Sequence, residues 1–229
     1  MGMGARIAMR MGRRPMTTSA VLTLTQWLSP SYPIGSFAYS HGLETALADG
    51  WVHDAASLQI WLADVLTDGS GWADAVLFCA AYQAPDNEAV REVDATGRAF
   101  AASAERLRES VNQGAAFART LNATSDLELP DAIFPVAVGR AAAHIDAPCE
   151  MAASLYLQAF VSNLVLACVR MIPLGQTEGQ AIIQALSPLC VKAAQAASKT
   201  TLDDLYSNTF LSDIAAMRHE AQQPRLFQS

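Results

Sequence analysis

Apolar residues recur along most of the chain at helical spacing. After Asp54, a plausible N-cap, Leu58, Trp61, Leu62 and Val65 share one face, Gln59, Asp64 and Asp68 lie off it, and Gly69 follows, which predicts a helix packed by one side. A second helix is predicted over 72–84, stopped by Pro85, and Asp86 then caps a third that carries Glu88, Arg91 and Glu92. The longest clean seam is Phe100, Ala104, Leu107, Val111, Gly114, Ala118 and Leu121, spaced four and three alternately as a bundle helix requires, with Gly114 and its alanine neighbours permitting close approach. Loop residues follow at 122–130, then a short helix at 134–144.

From Pro148 to Ile172 the chain is apolar nearly all round. Its length would suit a membrane span, but Ser154, Gln158 and Ser162, with Asn163 beside them, form a polar stripe, so a buried central helix is predicted instead. Pro173 ends it. Thr177 with Gln180 reads as a capping box for the next helix, which Pro188 is expected to kink or divide. Thr201 with Asp204 forms a looser box, and 212–220 is a last short helix before a tail containing Pro224, Leu226 and Phe227. No alternating or β-branched run bounded by turns stands out as a strand. The expected fold is all-α, a single-domain bundle of roughly eight to ten helices over 17–229 with no β-sheet.

Composition narrows the function. Apolar residues make up 52% of the 229 and charged ones only 16%, which excludes disorder through low hydrophobicity. Arg6, Arg10, Arg13 and Arg14 precede the first carboxylate, Glu44, so the rest holds 11 basic against 22 acidic residues and offers no concentrated positive face for nucleic acid. Residues 1–16, with five methionines, read as a disordered leader or a mis-called start; the short apolar stretch after them lacks a cleavage site, and no export signal or membrane anchor is expected. Cys79, Cys149, Cys168 and Cys190 are far apart among apolar residues and read as reduced thiols of a cytoplasmic protein.

Catalytic signals are few. Ala38-Tyr39-Ser40-His41-Gly42 nearly matches a nucleophile elbow, and Asp213 and His219 would complete a triad in the order of an α/β hydrolase. The elbow needs a strand leading into Ser40, whereas Pro30, Pro33 and Gly35 precede it. The four histidines have no partner at ligand spacing and there is no phosphate-binding loop, so no metal site, no cofactor and no catalytic residue is expected.

Three stretches exceed structural need: Ser29 to Glu44, Arg170 to Gln176, and Met217 to Ser229. Together they resemble the urease accessory protein UreF family. Residues 29–44 fit S-P-x-x-P-[IV]-G-[SA]-F-[SA]-Y-S-x-G-[LI]-E, residues 170–176 fit R-x-I-P-L-G-Q, and 217–229 fit M-R-H-E-x-Q-x-x-R-L-F-x-S, departing from common family usage at Ala221, Gln223 and Pro224. The resemblance runs from about Val21 to Ser229. It implies a helper in assembling the urease nickel centre: an all-helical dimer that binds the accessory protein UreD or UreH and recruits the GTPase UreG to apo-urease, without catalytic residues of its own. The residues expected to meet partners are Pro33, Gly35, Ser36, Phe37, Tyr39, Ser40 and Glu44 in the first stretch, Arg170 and Gln176 in the second, and Arg218, His219, Glu220, Arg225, Leu226 and Phe227 in the third. The tail over 217–229 is expected to be marginally ordered until Leu226 and Phe227 dock on the UreD-type partner.

Overall fold

The computed structural model describes residues 17–145 and 147–229. The leader reading for 1–16 lies outside them. Among the described residues the chain forms ten α-helices and two short 3-10 turns, with no strand, as the all-α reading expects: α1 (Thr18–Trp27), α2 (Leu43–Ala48), α3 (Ala55–Asp68), α4 (Ser70–Gln83), α5 (Asn87–Ala99), α6 (Ala104–Thr124), α7 (Phe134–His144), α8 (Cys149–Val169), α9 (Gln176–Ala197) and α10 (Phe210–His219).

The starts of the helices follow local side-chain chemistry. Asp54 accepts from the Ser57 amide at 2.8 Å, and Asp86 from those of Glu88 and Ala89 at 3.0 and 2.9 Å, satisfying donors that a helix's first turn leaves unpaired. α8 runs through the centre, with α4, α7 and α9 packed along it, so its apolar surface is covered by protein. A chain of rings crosses the core, Trp27–Phe117 at 5.7 Å, Phe117–Phe134 at 6.0 Å, Phe134–Tyr156 and Tyr156–Phe78 both at 5.6 Å, and it ties α1, α6, α7, α8 and α4 together. Gly114 lets α6 press on the backbone of Ala132 to Phe134, where a Cβ would collide with the Ala132 carbonyl.

Three local expectations are corrected. Phe100 belongs to the end of α5, and α6 begins after Ser103, whose hydroxyl accepts from the Arg106 amide at 3.1 Å. The inward stripe of α6 is Glu105, Glu109, Gln113, Gly114, Phe117, Ala118 and Leu121, so the apolar seam holds in the second half, while in the first half three polar side chains displace Ala104, Leu107 and Val111. α9 starts at Gln176, because Glu178 reaches back to accept from the Gly175 amide at 2.9 Å, leaving Thr177 inside the helix. Pro188 does not divide α9, which α8 supports along its length; Ser187 on that face donates to the Gln158 side chain at 3.0 Å.

Candidate functional site: a buried carboxylate hub

The polar half of α6 is where the first and third sequence stretches converge. The first enters through a turn at Ser36–Ala38 and a left-handed Gly42 with φ of 77°. A Cβ on Gly42 would lie 2.6 Å from the Ala216 amide nitrogen, so both the turn and the seating of α10 against α2 require glycine here. This places Ser40, His41 and Glu44 facing inward, while α10 delivers His219 opposite them and the tail returns beneath.

Three buried glutamates then hold the assembly. Glu44 accepts from the amides of Leu226 at 2.7 Å and Phe227 at 2.9 Å, with His219 Nε2 at 3.3 Å. Glu105 faces His219 Nδ1 at 2.7 Å and also takes the Arg225 guanidinium. Glu109 binds His41 Nε2 at 2.7 Å, the Ser229 hydroxyl at 2.7 Å and Gln113 at 3.1 Å, and forms an ion pair with Arg106. Last, the tail lies along residues 38–40: Gln228 N–H donates to the Ala38 carbonyl at 2.8 Å, and the Ser40 amide donates to the Ser229 backbone oxygen at 2.7 Å. Outside the hub, Glu220 accepts from the Ala104 amide at 2.8 Å and so caps α6. Arg170 of the second stretch donates to the Phe37 carbonyl at 2.9 Å and covers the Phe227 ring at 4.8 Å.

Electrostatics explain why burial of so many charges is tolerated. Burial by itself would push the Glu109 carboxyl up, but the charges of Arg106 and His41, with hydrogen bonds from His41 and Ser229, hold it at about 2. Burial, and then Arg106, press His41 below its ordinary value against the opposing pull of Glu109. Asp74 on α4, hydrogen-bonded by the Tyr156 hydroxyl at 2.8 Å, is pushed up by burial, with Arg106 opposing. Arg106, His41, Asp74 and Glu109 also line a small cleft of about 40 Å³ together with Trp27 and Phe160.

This geometry removes the hydrolase reading. Ser40 is buried and its hydroxyl donates to the Ser229 backbone oxygen, both nitrogens of His219 are taken by Glu105 and Glu44, and Asp213 accepts from Ser207 at 3.3 Å. The three side chains do not form a relay, and among the described residues no strand precedes Ser40. Among the described residues no group of three or more His, Cys, Asp or Glu side chains is arranged to hold a metal ion.

The expected contact residues divide sharply. Ser36, Tyr39, Ser40, Glu44, His219 and Phe227 are buried, and of these Ser40 and Glu44 bond the tail directly. Pro33, Phe37, Arg170, Gln176, Arg218, Glu220, Arg225 and Leu226 are exposed, and Gly35 is half-buried at the turn. The marginally ordered tail is therefore corrected: Phe227 is 2% exposed and packs on this protein's own core, whereas Leu226 is 72% exposed. Sequence reasoning missed Glu105, Arg106, Glu109, His41 and Asp74, although Glu105, Glu109 and Gln113 repeat every four residues, a polar stripe beside the seam. It also missed the outer face of α10, where Phe210, Leu211, Ile214 and Met217 are all exposed, Phe210 by 71%. Helical spacing was the available signal, but periodicity alone does not say which of two apolar faces is covered.

The UreF family model matches residues 52–187. The chain is 48% identical over 214 residues to the urease accessory protein UreF of Roseobacter denitrificans, covering 93% of this chain and 96% of that protein. It is similar to proteins of the same description from Cereibacter sphaeroides, at 50% identity over 92% of this chain and 99% of the relative, and from Mesorhizobium japonicum, at 45% over 92% and 96%.

Proposed function

The chain belongs to the UreF family of urease accessory proteins, and from that premise we propose that it is a non-catalytic scaffold that binds a UreD/UreH-type protein through α10 and the outer side of the tail, and through that complex recruits the GTPase UreG to apo-urease. One observation carries the reading. The hub holds the reactive side chains of the first and third family stretches in internal bonds, and what stands outward is apolar: Phe210, Leu211, Ile214 and Met217 on one face of α10, with Leu226 also exposed on the tail that the hub fixes. A contiguous exposed apolar face on a rigid support, with Arg218 and Arg225 among the exposed polar residues nearby, has the make-up of an interface core and rim. The hub's role is to fix the tail so that little ordering cost remains when a partner binds.

A second exposed face supports self-association. Phe37, 75% exposed, lines a groove of about 260 Å³ together with Pro30, Leu166, Ala167, Arg170 and Gln176. We assign it to a homodimer contact, distinct from the α10 face.

The deciding experiment is co-purification with the UreD/UreH-type and UreG proteins of the same organism. Phe210→Asp combined with Ile214→Asp is expected to leave the melting temperature within a few degrees of wild type, since both side chains are exposed, and to abolish capture of the UreD/UreH-type protein and with it UreG. Undiminished capture by this double variant would place the interface elsewhere.

A further inference from the structure

Beside the exposed face of α10 lies a cavity of about 250 Å³, bounded by α4, residues 100–102 after α5, the first turns of α6 and α10 itself. Met217, 52% exposed, belongs both to that face and to the cavity lining, so the cavity opens next to the apolar patch. It is smaller than the roughly 300–1,000 Å³ of small-molecule sites, which suits a single inserted side chain. Leu77, Phe100 and Leu107 give it apolar walls, and two carboxylates stand in it, Asp74 of α4 and Asp213 of α10. Among the described residues each accepts one hydrogen bond, both on Oδ2: Asp74 from the Tyr156 hydroxyl at 2.8 Å and Asp213 from Ser207 at 3.3 Å. The Oδ1 atoms are left without a donor, and burial pushes both carboxyls up. Arg106 and His41 also line the cavity, but Arg106 Nη1 is turned to His41 and to Glu109, whose carboxylate matches its charge, and burial presses His41 towards the neutral form. The excess charge facing the cavity is therefore negative.

We propose that this cavity is an anchor pocket into which the protein docked on α10 inserts one lysine or arginine side chain, its aliphatic stem along Leu77, Phe100 and Leu107 and its charged head at the Asp213 and Asp74 carboxylates. The inference rests on the α10 docking reading and adds to it the chemistry of the residue that the partner presents. Insertion gives two under-bonded carboxylates a charged donor in a place shielded from water, where such a bond is strong and where an unpaired charge is costly. The stem of a basic side chain is itself apolar, so wall and floor are matched by the same residue. A basic anchor surrounded by apolar contacts has the form of an interface hot spot, and an acidic side chain in its place would be repelled.

The test measures the affinity of the full chain for the UreD/UreH-type protein of the same organism by biolayer interferometry. Asp213→Asn keeps the size of the side chain and its bond from Ser207, and is expected to weaken the complex at least tenfold with helical content and melting temperature retained. Each exposed lysine and arginine of the partner is then changed to glutamine, which leaves this chain as it is. One of these changes is expected to weaken the complex by a similar factor and to cost little more when combined with Asp213→Asn, as a shared contact requires. If Asp213→Asn binds as tightly as wild type while Phe210→Asp with Ile214→Asp loses capture, the face is right and the anchor pocket is wrong. Additive losses for every basic residue of the partner would overturn the proposal equally. If the Phe210 and Ile214 double variant also binds undiminished, the docking reading fails and the anchor pocket with it.

Discussion

Glu109 shows most directly how one side chain sustains the hub. Its carboxylate is nearly solvent-free and joins Arg106, His41, Gln113 and the Ser229 hydroxyl, so Glu109→Gln leaves the Arg106 charge without its closest counter-ion. Breaking a buried pair in this way is expected to cost about 3–5 kcal/mol at neutral pH. The pH dependence has a definite sign. The carboxyl is held at about 2 in the folded protein against 4.5 ordinarily, so its contribution is complete above 4.5 and is lost as the pH falls towards 2. Urea unfolding of both proteins is expected to show a wide stability gap at neutral pH that closes through that window. A gap that does not change with pH would mean that the side chain acts through its shape and not its charge.

At the scale of elements, the tail after α10 behaves as part of the core. Phe227 is buried beneath Arg170 and its amide is bonded to Glu44, while its neighbour Leu226 points outward. Phe227→Ala is expected to cost about 3–5 kcal/mol through lost burial and the cavity left behind. For a chain of this size that is a melting-temperature loss of about 6–20 °C. Leu226→Ala is expected to change stability by no more than about 0.5 kcal/mol. Calorimetry on the two variants separates a structural strap from a loose partner-docking peptide: in a loose tail, both substitutions would leave the melting temperature alone.

At the scale of the molecule, two apolar faces lie on different elements, α10 on one and the Phe37 groove beside α8 on the other. If the second joins two copies, light scattering over a concentration series is expected to give twice the chain mass for wild type and a single chain mass for Phe37→Asp, with helical content retained. A wild type that stays monomeric, alone and with its UreD/UreH-type partner, would contradict the proposed dimer.

The sequence by itself determined the fold class, the approximate number of helices, the Asp54 and Asp86 caps and the family, because these depend on local chemistry: the spacing of apolar residues, Asp54 and Asp86 ahead of helix starts, and Pro85 and Pro173 as stops. It also marked the three stretches that matter. Only the tertiary structure decided what they do, because Glu44, Glu105 and Glu109 acquire their partners from residues more than sixty or even a hundred positions away, as His219 with Glu105 and His41 with Glu109 show. Helical periodicity assigns polar residues to the solvent side, and it misplaced the first half of α6 for that reason. A buried carboxylate is stable only where distant donors converge on it, and that convergence exists only once the chain is folded.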